Sequence, residues 1–288
     1  MSDSNIVQFW KMHGLGNDYV VIDNRDGKIC DQKASVLAKK LCERRFSVGA
    51  DGLLLVCGSK EADVKMRIFN SDGSEAEMCG NGIRCFSKYC YEMAVFKKSA
   101  FQVETLSGIK NVWLTLNSYD EVVLVRVDMG APNWNCKSIP MIGEDTCIDS
   151  SLTVNNKEVY NVTCLSMGNP HCIIFVEDVN KTPVDCIGPL VENHKFFPKR
   201  TNVGFVQVIN ENELMVRVWE RGCGETLACG TGTCAAVAAA NKLDKVGDKV
   251  TVHVLGGNLQ VKIDEKNHLF LSGAAEKVCQ GTLFGENY

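Results

Sequence analysis

The sequence predicts a mixed α/β (α+β) fold of two pseudo-symmetric lobes, each a mostly antiparallel sheet wrapped around a central helix, with the active site between the lobes. Three observations predict it: an internal repeat, many short β-branched runs, and a helical pattern after each copy of the repeated motif. The repeat places Arg67-Ile-Phe-Asn70-Ser-Asp-Gly-Ser-Glu75-Ala-Glu-Met-Cys79-Gly80-Asn81-Gly82 over Arg217-Val-Trp-Glu220-Arg-Gly-Cys-Gly-Glu225-Thr-Leu-Ala-Cys229-Gly230-Thr231-Gly232 without a gap. Arginine meets arginine, aromatic meets aromatic, glutamate meets glutamate, and Cys-Gly-x-Gly meets Cys-Gly-x-Gly. A weaker echo pairs Gly16-Asn17 and Tyr19 to Ile22 with Gly168-Asn169 and His171 to Val176. Two halves of one ancestral domain follow from these pairings.

Ten apolar runs bounded by Gly, Asn, Asp or Pro read as strands. They are Val20 to Ile22, Leu53 to Val56, Val64 to Phe69, Val112 to Leu116, Val122 to Val127, Cys172 to Val176, Phe205 to Val208, Leu214 to Trp219, Val250 to Leu255 and Leu259 to Ile263. After the first Cys-Gly-x-Gly, Ile83, Phe86, Cys90 and Met93 recur at helical steps. After the second, Thr233 to Ala240 is apolar on every side, so that helix must be enclosed by protein. Turn residues at Gly130-Ala-Pro132-Asn133 mark a boundary, giving lobes of residues 1–129 and 130–275.

The chain has 288 residues, 45% of them hydrophobic and 23% charged, enough for a sizeable core and too apolar for disorder. Its net charge is -4 and no basic run faces a phosphate backbone, so a nucleic-acid partner is not expected. The uncharged run Cys234 to Ala240 is far below the ~20 residues of a membrane span, so no membrane partner is expected. The polar start Ser2-Asp3-Ser4-Asn5 lacks a signal-peptide pattern, and a cytoplasmic address is expected. Fifteen cysteines are an odd number without C-x-x-C spacing, which argues for reduced thiols and against a disulfide scaffold or zinc site. No metal is expected.

Cys-Gly-x-Gly before a helix has a specific chemical capacity. The first backbone N–H groups of a helix carry partial positive charge and favour an anion, and glycines let that anion approach. A cysteine at the same end has its pKa pulled down from an ordinary ~8.5, so that it becomes a usable base. Two such units supply two thiols and two sets of donors. One thiolate can take a proton from a carbon beside a carboxylate while the other thiol returns one to the opposite face, which inverts a stereocentre.

At this level of detail the chain resembles the diaminopimelate epimerase family. The resemblance rests on Met12-His-Gly-Leu-Gly-Asn17-Asp-Tyr, the Arg67 to Cys85 segment, Met167-Gly-Asn169-Pro-His171, Thr201-Asn202-Val-Gly-Phe, and Trp219-Glu220-Arg221 through Cys229-Gly-Thr-Gly. It implies a cofactor-independent, PLP-free two-base epimerase that converts LL- to meso-diaminopimelate in lysine and peptidoglycan-precursor synthesis. It also implies a homodimer acting on a small-molecule substrate, with the tail 276–288 returning to the first lobe. By position, Cys79 and Cys229 match the catalytic thiols. Gly80, Asn81, Gly230 and Thr231 match the N–H donors to the reacting carboxylate. Asn17, Asn70, Asn169, Asn202, Glu220 and Arg221 match substrate-holding residues, and Glu220 and His171 also match groups that tune the thiols. Gly52 stands where some members carry Gln.

Three other readings stay open from the residues. The thiol pair would equally serve a racemase for another amino acid. Gly230-Thr-Gly232-Thr-Cys-Ala235 formally fits the dinucleotide fingerprint, although no strand directly precedes it and no acidic residue follows at the needed spacing. A redox sensor would join Cys79 to Cys229 in a disulfide. Glu75 and Glu225 read as capping or packing groups near the helix entries.

Overall fold

The computed structural model describes residues 6–143, 145–155 and 157–284. The polar segment Ser2–Asn5 and the last four positions of the 276–288 tail lie outside the described residues. Two compact units emerge, one formed by the chain up to Val127 together with the segment from Gly273, the other by Asp128–Ser272.

The first unit contains β1 (Ile6–Gly14), β2 (Asn17–Asp23), α1 (Asp31–Cys42), β3 (Gly52–Cys57), β4 (Val64–Asn70), β5 (Glu75–Ala76), α2 (Gly80–Glu92), β6 (Ala100–Thr105), β7 (Gly108–Leu116) and β8 (Val122–Asp128). In the second unit the order is β9 (Ser150–Val154), β10 (Glu158–Ser166), β11 (Pro170–Phe175), α3 (Val184–Glu192), β12 (Asn202–Asn210), β13 (Glu213–Glu220), β14 (Gly224–Thr226), α4 (Gly230–Lys242), β15 (Lys249–Val254), β16 (Gly257–Ile263) and β17 (Leu269–Gly273). The last strand, β18 (Glu276–Phe284), pairs antiparallel with β1 and so belongs to the first unit.

The units share one topology. In the first, the ladder runs β18-β1-β2-β3-β4-β6-β7-β8. In the second, it runs β9-β10-β11-β12-β13-β15-β16-β17. Each ladder is antiparallel except at two junctions, β2–β3 and β4–β6 in one and β11–β12 and β13–β15 in the other. Parallel neighbours need a crossover, and helices supply it: α1 and α3 at the first junction, α2 and α4 at the second. Short β5 and β14 fold back on β4 and β13 and deliver the chain to the start of α2 and α4.

α2 packs on β1, β2, β3, β4 and β7, and α4 on β10, β11, β12, β13 and β16, so each is the central helix of its sheet. Phe86, Ile83 and Cys90 of α2 are fully enclosed, as are Thr233 to Ala240 of α4. Burial of a side chain such as Phe86 contributes roughly 1.5–3 kcal/mol, which anchors the helix and fixes where its N-terminus points. Every predicted strand falls on an observed one, overrunning its end by at most one residue, while β2, β7, β11, β12 and β16 extend two to four residues beyond the prediction; both predicted helices are present.

Candidate active site

The two Cys-Gly-x-Gly segments form the same local structure. Cys79 and Cys229 are the N-caps of α2 and α4, with extended backbone at φ -142 and φ -123. Each sulfur accepts the amide N–H of the third helical residue, Gly82 or Gly232, at 3.4 Å. Ser, Thr, Asp and Asn usually cap helices; here a sulfur takes that place, next to the donors that would stabilise its anion. Gly82 and Gly232 lie close to the cap: a Cβ on Gly232 would come within 3.3 Å of the Cys229 sulfur. The amides of Gly80, Asn81, Gly230 and Thr231 precede the intrahelical ladder and belong to the same electropositive ends.

In the first unit, the start of β2 surrounds Cys79. Tyr19 Oη lies 2.9 Å from Cys79 Sγ and donates to Asn17 Oδ1 at 2.7 Å. Asn81 Nδ2 donates to the same Asn17 oxygen at 3.2 Å. Asn17 Nδ2 donates to Asp51 Oδ2 at 2.8 Å, and because a carboxylate only accepts, this contact turns the amide oxygen toward the sulfur. Beneath lies a charged platform: Arg44 donates to both Asp18 and Asp51, and Lys11 pairs with Asp18 at 2.7 Å. Burial opposes ionisation of Asp18, but Arg44 and Lys11 outweigh it and hold its pKa at about 2. Buried Arg84 of α2 donates to Gly80 O at 2.9 Å and to Ala274 O at 3.1 Å, fixing the helix entry. Asn70 stands opposite Gly52 at the end of β4, exposed, its amide donating to Ser74 Oγ.

In the second unit, a chain of polar groups leads to Cys229. His171 Nε2 meets Asn169 Oδ1 at 3.0 Å, Asn169 Nδ2 donates to Thr231 Oγ1 at 3.3 Å, and Thr231 Oγ1 lies 3.5 Å from Cys229 Sγ. The Asn169 oxygen can only accept, so His171 carries its proton on Nε2 and its Nδ1 is a bare acceptor. That Nδ1 is buried without a hydrogen-bond partner among the described residues. Burial, followed by the nearby Arg221 charge, pulls the His171 pKa down to about 3, so the ring is neutral at physiological pH. Glu220, at the end of β13, hydrogen-bonds the Cys229 thiol and accepts from Thr226 Oγ1 at 2.6 Å. Burial raises its carboxyl above the ordinary glutamate value.

The expectation that the helix end lowers the thiol pKa does not hold for Cys229. Burial and then the Glu220 charge push this thiol well above its ordinary value, against the pull of Thr231 and the Gly232 amide. Cys229 is therefore a protonated thiol beside a carboxylate in this state. Asn202 is buried and its side chain is engaged by main chain, donating to Pro170 O at 2.8 Å and accepting from Arg221 N at 2.9 Å. Arg221 itself is exposed, one guanidinium N–H directed at Lys199 O.

The family model described as diaminopimelate epimerase matches residues 9–135 and 163–278. The chain belongs to the diaminopimelate epimerase family. It is 50% identical over 277 residues to the diaminopimelate epimerase of Moorella thermoacetica, covering 96% of this chain and 98% of that one. The enzyme of the same name from Methanococcus maripaludis strain C5 is 48% identical over 279 residues, covering 96% and 99%. Among solved structures, a hydroxyproline epimerase from Agrobacterium vitis superposes with a TM-score of 0.73 at 13% identity, over 98% of this chain and 94% of its own, and shares the two-lobed fold.

Within this diaminopimelate epimerase family chain, two features escaped the reading of the sequence. Glu75 and Glu225 do not cap the helices; each forms a two-point ion pair with the arginine of its own repeat, Arg67 or Arg217, across the β4–β5 and β13–β14 hairpins. The caps are the cysteines. Tyr19 was the second, and the signal for it was present: the weaker echo sets Tyr19 over His171, and both side chains contact the asparagine two positions before them. No disulfide joins any cysteine, and among the described residues no group of three or more His, Cys, Asp or Glu could hold a metal ion. Among the same residues, no helix is long and apolar enough to cross a membrane.

Proposed function

We propose that this protein inverts one α-carbon of LL-diaminopimelate to give the meso isomer by a two-base reaction of Cys79 and Cys229, serving lysine and peptidoglycan-precursor synthesis in the cytoplasm as a homodimer. The observation that carries this reading is the duplicated sulfur-capped helix, the same arrangement in both units and set among asparagines in both. One sulfur, as thiolate, takes the α-proton; the other, as thiol, gives a proton to the opposite face. Both proton transfers are supplied by side chains, so the scheme requires no cofactor. The helix-end amides at Gly80, Asn81, Gly230 and Thr231 bind the α-carboxylate and take up the charge that develops on it.

Cys229 enters as the acid, because burial and Glu220 keep its proton on, and Glu220 is the group that can receive that proton when the direction reverses. Neutral His171 offers its bare Nδ1 as an uncharged acceptor in the site. Asn17, Asn70, Asn169 and Asn202 position the substrate, directly or by holding their neighbours, and Glu220 and Arg221 supply opposite charges for the distal amino-acid end. A substrate with a second amino-acid group is favoured over a simple amino acid for that reason.

The test is incubation of purified, reduced protein with LL-diaminopimelate and no added cofactor, separating the stereoisomers by chromatography. Appearance of the meso isomer to an equilibrium mixture supports the reading. A folded, reduced protein that leaves the substrate unchanged overturns it.

A further inference from the structure

We infer that Tyr19 is a positioning residue for the first thiol, its single hydroxyl proton moving between Asn17 Oδ1 when Cys79 is a thiol and Cys79 Sγ when it is a thiolate. The inference rests on the two-thiol reading above and deepens it.

The geometry leads there by counting donors and acceptors. Asn17 Oδ1 has two lone pairs, and three groups reach it: Tyr19 Oη at 2.7 Å, Asn81 Nδ2 at 3.2 Å and Cys79 Sγ at 3.7 Å. The amide cannot turn over, because its Nδ2 is held by the Asp51 carboxylate. Tyr19 Oη also lies 2.9 Å from the sulfur and has one hydrogen for two acceptors. With a thiol, S–H points at the tyrosine oxygen, and the tyrosine O–H and the Asn81 amide fill the two lone pairs of Asn17. With a thiolate, the sulfur becomes the stronger acceptor, the O–H turns to it, and Asn81 keeps Asn17 satisfied. No covalent bond changes and no proton leaves Tyr19. Burial, with the adjacent Cys79 sulfur, raises the Tyr19 hydroxyl well above its ordinary value, so it remains a donor.

Tyr19 is held at this distance by its ring. It is the parallel register partner of Gly52, where a Cβ would come within 2.8 Å of Phe69 O and 3.1 Å of Tyr19 Cε1. The ring occupies the ground that a side chain at 52 would need, and its hydroxyl brings a polar group to the sulfur where Gly52 offers none. The second unit resolves the corresponding place differently. His171, the counterpart of Tyr19, has Asn202 as its register partner, and it reaches Cys229 only through Asn169 and Thr231. The other titratable groups around Tyr19 and Cys79 are Asp51, bound by Arg44, and Cys85 on α2, whose thiol burial pushes up to about 12. Asp18 stays ionised between Lys11 and Arg44.

The test measures Cys79 without substrate. Site-resolved mass spectrometry follows iodoacetamide labelling of half-exposed Cys79 against pH in the parent, in Tyr19→Phe, and in protein carrying a ring-fluorinated tyrosine at position 19. A hydrogen bond to a charged acceptor lost in Tyr19→Phe lowers labelling at neutral pH by roughly ten- to a hundredfold and moves the midpoint up by about one to two pH units. The fluorinated ring, a stronger donor, moves it down. The acid limb of kcat/KM shifts upward in Tyr19→Phe by the same amount in the reaction direction that uses Cys79 as base. Opposite shifts in the two variants support the inference, and a midpoint that does not move in Tyr19→Phe overturns it. Because labelling needs no turnover, an inactive parent would overturn the proposed reaction while leaving this measurement intact.

Discussion

Glu220→Gln separates two effects of one carboxylate. Glu220 hydrogen-bonds the Cys229 thiol, and its charge follows burial as the second cause of that thiol's raised pKa. A charge in hydrogen-bond contact moves a neighbouring pKa by about one to three units, or roughly 1.4 kcal/mol per unit. Neutral glutamine fills the same space and keeps a carbonyl for the Thr226 hydroxyl, which lies 2.6 Å from the carboxylate oxygen. The Cys229 pKa in Glu220→Gln is therefore expected to fall by about one to three units, giving more thiolate at neutral pH. Turnover in the direction that uses Cys229 as base nonetheless drops, by roughly a hundredfold, because the group that accepts the Cys229 proton is gone. Thiolate ultraviolet absorbance titrated in Glu220→Gln, minus the same titration in Glu220→Gln/Cys229→Ser, isolates this sulfur from the other fourteen. The reasoning fails if the midpoint is unchanged or higher than in the parent, measured as the parent minus Cys229→Ser.

Two further predictions concern the second unit. Gly188 of α3 faces Trp219, and a methyl there would come within 2.5 Å of Cγ and 2.7 Å of Cδ2 of the ring, whose N–H donates to Glu192 at 2.7 Å. Gly188→Ala should cost about 2 kcal/mol in urea unfolding, overpacking outweighing the gain in helix propensity, with a change in tryptophan fluorescence; a stability at or above the parent's would contradict the packing. His171 takes up its proton near pH 6.5 when unfolded but only near 3 when folded, so its contribution to stability is complete above 6.5 and is lost as pH falls toward 3. At pH 5 the loss is about 2 kcal/mol, and His171→Asn should lack it; equal slopes of stability against pH in the two proteins would refute a neutral buried ring.

Much of the scaffold was legible because the repeat forces two similar units and because β-branched runs between turn residues mark strands regardless of which unit they join. Among the described residues β1, β5, β6, β9, β10, β14, β17, β18, α1 and α3 escaped, and for β1, β18 and α3 the reason is physical. β1 carries Lys11 in the midst of buried Phe9, Trp10 and Met12, and that lysine is accommodated by Asp18 and Gly49 O from elsewhere in the fold. β18 is largely exposed, so it shows no alternation and owes its place to pairing with β1. α3 contains Gly188 and Pro189, both helix breakers by propensity, and forms because Val184, Ile187 and Val191 bury in the core. α1 is the exception, since Ala34, Leu37, Ala38 and Leu41 stand at plain helical spacing. At the site, the cysteines were visible from their mirrored context. The raised Cys229 pKa was not, because it depends on burial and on Glu220, nine positions away in sequence, being folded against the cap.

The central claim is that two different sulfurs serve the two faces of one carbon, and the isotope content of the isomers at low conversion in D2O tests it most directly. With separate bases, newly formed meso-diaminopimelate carries one solvent deuterium at the inverted carbon while the remaining LL substrate stays unlabelled. Product that retains the original hydrogen, or substrate that gains deuterium as fast as product, would mean that a single base works both faces.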